Sequence, residues 1–274
     1  MFVINNIALL VAVILLMAAV LFAQRQYVKI RRINKELTGV QAALRGLNTD
    51  LEKRVQQRTA ELMVEVAEHR RTEEALKQSN LKLSQAVGDT INAMSQTCEM
   101  RDPYTAGHQR RVTQLAIEIA GEMNLSEEQR EGLRIAATIH DIGKMCVPAE
   151  LLSKAGKLSG LELDLIKTHT QASYNILKTI SFSFPVAEIV LQHHERMDGS
   201  GYPHGLKDSE ITLEAKILAV ADVVEAMSSH RPHRTSLGID KALQEVSQAK
   251  GTLFDDKTVD ACLKLFNEKG FHFE

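Results

Sequence analysis

Between Ile33 and Val87 the chain contains no proline, and its only glycines there are Gly39 and Gly46. The stretch is rich in Glu, Lys, Arg, Gln and Leu. Its apolar residues recur at heptad distance, as Ile33, Val40 and Leu47 and as Leu37, Leu44 and Leu51. The frame shifts to Val55 and Leu62, then resumes at Leu76 and Leu83 and at Asn80, Val87 and Met94. A seam of this period fits one long helix and little else. A single apolar stripe on so long a helix needs a cover. The spacing therefore predicts a parallel homodimeric coiled-coil stalk over residues 25–88, in preference to a solitary solvated helix.

Ahead of the stalk, Ile7–Ala23 is an unbroken apolar run, and Phe2-Val3-Ile4 extends it past Asn5-Asn6. It is long enough to cross a bilayer as a helix. No Lys or Arg precedes it, which disfavours a cleaved signal peptide. Arg25, Lys29, Arg31, Arg32 and Lys35 all follow it. The positive-inside rule then predicts an uncleaved single-pass anchor over residues 1–24, with membrane contact through 7–23 and everything beyond Gln24 in the cytoplasm. So little lies on the outer side that a sensor there is not expected; input would come from a membrane partner or from the lipid.

From about Gly88 the pattern changes, and residues 89–274 read as one further domain. Only 4% of residues are aromatic, and Val, Ile and Thr do not gather in alternating runs, so the fold class is all-α. Helical patterns lead through Val112, Leu115 and Ile119, then from a Ser126 N-cap to His140. Others cover about 160–180, 185–194, 213–229, 239–249 and 256–268. A formal net charge of −2 gives no argument for a nucleic-acid polymer as partner. Cys98, Cys146 and Cys262 are isolated thiols, which argues for a reducing compartment and against a Cys-rich zinc site.

Polar residues interrupt these apolar patterns at particular places. His140-Asp141 ends an apolar helix and precedes Ile142-Gly143-Lys144. His193-His194 ends another, followed by Glu195-Arg196-Met197-Asp198-Gly199-Ser200-Gly201-Tyr202-Pro203. His108 stands at the edge of an apolar face, His169 follows Ile166-Lys167-Thr168, and Asp222 lies in an otherwise apolar helix. Buried imidazoles and carboxylates are costly unless paired or bound to a metal. Five imidazoles and two carboxylates exceed one tetrahedral zinc and suit two octahedral ions, Fe or Mn before Zn or Ni. Such a pair of ions clamps a phosphoryl group and supplies hydroxide at neutral pH. A closed structural metal site is the alternative, and those are usually Cys-rich.

His140-Asp141-Ile142-Gly143-Lys144, His193-His194-Glu195 and Asp198-Gly199-Ser200-Gly201-Tyr202-Pro203 together resemble the signature of the HD-GYP domain, a branch of the HD phosphohydrolase superfamily. The resemblance spans about Ile91 to Phe271. It implies an all-helical domain with two divalent metal ions that hydrolyses cyclic di-GMP to pGpG and then GMP, lowering a bacterial second messenger. The implied metal ligands are His108, His140, Asp141, His169, His193, His194 and Asp222, with Asp141 bridging the ions. Lys144 would act with Asp141 in catalysis and would also bind the phosphate, where Arg231 and Arg234 join it, while Tyr202 and the glycine loop would face a guanine or the phosphate backbone. Tyr104 stands where members with a third ion carry Glu, so two metals are expected. Glu225, His233 and Ser173 stand where many members carry Asp, Tyr and Gly. With the anchor, the resemblance implies the bacterial inner membrane.

Two other functions fit the same residues. One is a non-hydrolytic module that binds cyclic di-GMP or a diguanylate cyclase partner and signals through its stalk; the complete ligand set speaks against it. The other is an HD phosphohydrolase for another nucleotide, against which the Gly-Tyr-Pro loop and the two arginines speak.

Overall fold

The computed structural model describes residues 2–101, 107–154, 156–229 and 236–273, with backbone alone for 2–6 and 8. Contacts divide the chain into two compact units, Met1–Leu81 and Lys82–Glu274. The first is one continuous helix, the leading part of α1 (Phe2–Arg101). Its apolar N-terminal stretch is long and apolar enough to cross a membrane. The heptad leucines are bare, Leu44 at 67% and Leu47 at 69% exposure. Exposed pairs such as Arg32 with Glu36 at 3.1 Å contribute only about 0.2–0.5 kcal/mol each. The uncovered stripe therefore outweighs them as a clue to what this helix needs.

In the second unit, α1 does not stop where the pattern changes at Gly88 but runs on to Arg101. Ile91, Ser95 and Cys98, spaced by four and three, form the buried face of this last segment. Met100 points outward. Among the described residues nine α-helices follow: α2 (His108–Glu122), α3 (Glu127–Ile139), α4 (Ala149–Leu152), α5 (Gly160–Lys167), α6 (His169–Leu177), α7 (Val186–Gln192), α8 (Leu213–Ser228), α9 (Ile239–Gln248) and α10 (Asp256–Glu268). No β-strand occurs among the described residues; Asp198 with Lys207 and Lys250 with Phe254 form only isolated bridges.

Helix α8 is the centre of the packing. Ile217, Leu218, Val220, Ala221 and Val224 are all fully buried, because α8 is apolar on nearly every side. It lies against α2, α3, α7, α9 and α10. Polar caps fix where the surrounding helices begin. Ser126 and Gln129 form a reciprocal capping box on α3, and Gln129 Nε2 also donates to Glu214 Oε1 at 2.9 Å, tying the start of α3 to α8. Thr212 caps α8 and Asp255 caps α10 through their side chains.

The single helical pattern over 160–180 is two helices, α5 and α6, divided at Thr168. The start of α6 lies hard against the loop after α3. A Cβ on Gly143 would fall 2.0 Å from the His169 carbonyl oxygen and 2.5 Å from Ser173 N. Only glycine permits that approach.

Candidate metal centre

Helix ends deliver most of the polar cluster. His108 opens α2, His140 and Asp141 follow α3, His169 opens α6, and His193 and His194 follow α7. Asp222 comes from the middle of α8. All are buried except His194, which is half-buried.

One local device recurs three times. The last carbonyls of a helix lack intrahelical donors. His140 Nδ1 bonds Ala137 O at 2.8 Å, His169 Nδ1 bonds Ile166 O at 2.8 Å, and His193 Nδ1 bonds Val190 O at 2.5 Å. A carbonyl only accepts, so each Nδ1 carries the proton and each Nε2 of the neutral ring presents a lone pair. His108 reaches the same orientation through a carboxylate, its Nδ1 bonding Glu225 Oε2. The Nε2 atoms of His108, His140, His169 and His193 are all buried without a hydrogen-bond partner. An unsatisfied buried polar atom costs about 1–3 kcal/mol.

These atoms converge. Ligand atoms of His108, His140 and Asp222 lie within 4.8 Å of one another, as do those of His140, Asp141 and His193 and those of His169, His193 and His194. Asp141 faces both ends of the cluster. Its Oδ1 is 3.5 Å from His169 Nε2, and its Oδ2 is 3.5 Å from His140 Nε2 and 3.8 Å from His108 Nε2. Asp222 Oδ1 is 3.3 Å from His108 Nε2 and its Oδ2 is 3.9 Å from His194 Nδ1. Apart from the 3.3 Å contact of His108 with Asp222, these spacings of 3.5–3.9 Å are longer than hydrogen bonds and fit atoms arranged around cations. The donor set suits divalent ions.

The electrostatics divide the cluster. Burial drives His193 down to about 3, helped by the neighbouring His140 and His169. Burial also lowers His169 and, with His193 beside it, takes His194 well below the ordinary value. These imidazoles are neutral at pH 7, the form that binds metal. Burial opposes a proton on His108 too, but Asp222 and Glu225 outweigh it and raise this group to about 9. Burial opposes charge on Asp141 and Asp222. Lys144 and the imidazoles nevertheless hold Asp141 well below the carboxylate range, and His108 with the other imidazoles does the same for Asp222.

The loop after His194 folds back over the cluster. Glu195 is not among the converging atoms: its Oε1 accepts from His204 N at 2.7 Å and its Oε2 from Leu206 N at 3.0 Å, which anchors the loop. A Cβ on Gly201 would sit 2.4 Å from Arg196 N, so this backbone lies directly on the one below. Tyr202 N donates to His194 O at 3.2 Å, and the Tyr202 ring lies tilted on the His194 ring at 4.7 Å between centroids. Burial, with Asp222 and Asp141 nearby, pushes the phenol pKa up, so it stays a hydroxyl donor.

A model of the HD domain family matches residues 92–258, more than half of the chain. The chain belongs to the HD domain family. Its motifs agree with the HD-GYP branch. Among curated relatives, this HD domain chain is 37% identical over 208 residues to the cyclic di-GMP phosphodiesterase response regulator RpfG of Xanthomonas campestris, covering 71% of this chain and 55% of that one. It is 39% identical over 184 residues to a cyclic di-GMP phosphodiesterase of Thermotoga maritima, covering 66% and 50%. It is 36% identical over 191 residues to 3′3′-cGAMP-specific phosphodiesterase 3 of Vibrio cholerae, covering 69% and 42%. The chain thus spans about half the length of the curated relatives it matches. A crystal structure of a cyclic GMP-AMP-specific phosphodiesterase of Vibrio cholerae shares the HD fold at a TM-score of 0.51 and 19% identity, covering 66% of this chain and 49% of that one.

Within this HD domain, Lys144 Nζ sits 2.6 Å from Asp141 Oδ2. Arg231 and Arg234 lie outside the described residues, as do Tyr104 and His233. Five contributors were not legible as such in the sequence. Ser173 Oγ accepts from Gly143 N at 2.8 Å and donates to His140 O at 3.0 Å, so it pins the dyad loop to α6. Glu225 and Arg111 back His108 from behind. Cys98 Sγ donates to Asp141 O at 3.2 Å, and Arg101 Nη1 donates to Met145 O at 2.9 Å, which joins the end of α1 to the dyad loop. The one available signal was Glu225 itself, a second carboxylate one turn after Asp222 in an apolar helix.

Proposed function

We propose that this chain is a membrane-anchored cyclic di-GMP phosphodiesterase with a dinuclear metal centre, producing pGpG and then GMP. The observation that carries this reading is the convergence of the buried Nε2 atoms of His108, His140 and His169 on the two oxygens of Asp141, with a ligand nitrogen of His193 within 4.8 Å. His108, His140, Asp141, His169, His193, His194 and Asp222 would hold the ions, Fe or Mn, with Asp141 shared between them. When bound, the two ions supply Lewis-acid stabilisation of phosphoryl oxygens and a water acidic enough to attack at neutral pH.

The chain's own groups do the rest. Lys144 places a cation beside Asp141, where charge develops on a bound phosphate. Tyr202 closes the site next to His194 and offers its hydroxyl proton to the substrate. Beside Tyr202 opens a cavity of about 610 Å³, lined by Lys167, Gln171, Asn175, Pro203 and His204. That is room for part of a dinucleotide. Arg231 and Arg234 would grip phosphate as paired donors.

Residues 1–24 would anchor the chain in the bacterial inner membrane, residues 25–88 would form a homodimeric stalk, and residues 89–274 would form the cytoplasmic phosphohydrolase domain. The exposed apolar surfaces of α1 support both roles. Input would reach the domain from a membrane sensor or a diguanylate cyclase partner.

The test is the full chain in detergent, loaded anaerobically with Fe(II) or Mn(II) and offered cyclic di-GMP, 3′3′-cGAMP and mononucleotides. Formation of pGpG at the highest rate supports the reading. Tight binding of cyclic di-GMP without product would replace it with a receptor. Faster cleavage of another nucleotide would reassign the substrate. Cysteine crosslinking along 33–87 in membranes checks the stalk, and a monomer there would remove it.

A further inference from the structure

The four imidazoles that turn Nε2 into the cluster are not backed alike. Main-chain carbonyls hold His140, His169 and His193, whereas a carboxylate holds His108. Glu225 is 1% exposed and comes from α8, one turn beyond Asp222. Its Oε1 accepts from Arg111 Nη2 at 2.6 Å and Nε at 2.8 Å, and from Ser229 Oγ at 2.7 Å. Arg111 lies on α2, one turn after His108 itself.

We propose that Glu225, fixed by Arg111 and Ser229, is a positioning residue that makes the His108–His140–Asp222 corner the tighter of the two cation subsites. The inference rests on reading the cluster as a two-ion centre. A carboxylate behind a histidine orients the ring and raises the basicity of the far nitrogen more than a carbonyl does. Asp222 adds a formal negative charge closer to this corner, its Oδ1 3.3 Å from His108 Nε2 against 3.9 Å from its Oδ2 to His194 Nδ1, and charges act strongly where water is excluded. The opposite corner offers the three neutral imidazoles of His169, His193 and His194. Asp141 serves both corners and so favours neither. Arg111 and Ser229 together fix the outer oxygen of Glu225, so that its inner oxygen faces His108.

A purely structural ion pair, holding α2 to α8, would also be buried and would also matter for stability. Metal titration separates the two roles. The full chain in detergent, stripped of metal, is titrated with Mn(II) alone by calorimetry, with electron paramagnetic resonance to distinguish single from coupled ions. The wild type is expected to show a tighter and a weaker class of site. Glu225→Gln keeps the shape and removes the charge; it should weaken the tighter class about 10–100-fold and leave the other within about twofold. Glu225→Asp keeps the charge but withdraws the oxygen from His108, and should weaken the same class. His169→Ala should delete the weaker class and leave the Glu225-sensitive one. If Glu225→Gln or Glu225→Asp moves both classes together, or lowers only the melting temperature, Glu225 is a structural ion pair and the proposal is overturned. If the wild type takes up no Mn(II), the two-ion reading itself fails, and this inference with it.

Discussion

His169, His193 and His194 bring three imidazole nitrogens together with Asp222 no nearer than 3.9 Å to His194 Nδ1, whereas His108 and His140 share their corner with the Asp222 carboxylate, 3.3 Å from His108 Nε2. The first group is kept neutral mainly by burial, while His108 is drawn toward its protonated form by Asp222 and Glu225. Asp141 joins the two corners with one oxygen toward each. Identical side chains on helix ends thus acquire different properties from what stands behind them. A carbonyl sets only the direction of the lone pair. A carboxylate also changes how strongly the ring binds a cation.

The comparison breaks most completely at the shared member. Asp141→Ala should empty both corners together and reduce turnover by more than about a thousandfold, beyond the roughly 10²–10³ typical of removing a single donor to the transition state. Metal analysis with a turnover assay checks this; loss of only one ion would show that Asp141 belongs to one corner. Lys144→Met should lower kcat by about 10²–10³ while both ions stay, and an unchanged kcat would remove Lys144 from the chemistry. Gly143→Ala tests the joint between the corners, because the added carbon would meet the His169 carbonyl. A cost of about 1–3 kcal/mol is expected from such overpacking, seen as a melting temperature lower by several degrees. Ser173→Ala should have the smallest effect. It leaves the buried Gly143 N–H without its acceptor, at about 1–2 kcal/mol and about 2–8 °C in a domain of this size, measured by calorimetry on the metal-free protein.

Much of this molecule is legible in one dimension because its signals are local. A heptad period in 33–87 reads directly as a helix. Ser126 followed by Gln129 reads as a helix start, and it is one. Each of His140 and His193 closes an apolar pattern, and the bond to the carbonyl three residues back follows from that position. What escapes the sequence depends on distant partners. Glu225 meets His108 across 117 positions, and nothing in the local pattern distinguishes it from a charge paired elsewhere. Ser173 looks like a departure from a frequent glycine until Gly143 and His140 are beside it. The continuation of α1 past Gly88 depends on Ile91, Ser95 and Cys98 finding a surface to cover, and the break at Thr168 coincides with the close approach of Gly143.

The most direct test is anomalous X-ray diffraction from crystals of the Mn(II)-loaded full chain. The account predicts two peaks about 3.5–4 Å apart, one beside His108, His140 and Asp222, the other beside His169, His193 and His194, with the Asp141 carboxylate touching both. A single peak, or peaks away from Asp141, would contradict it.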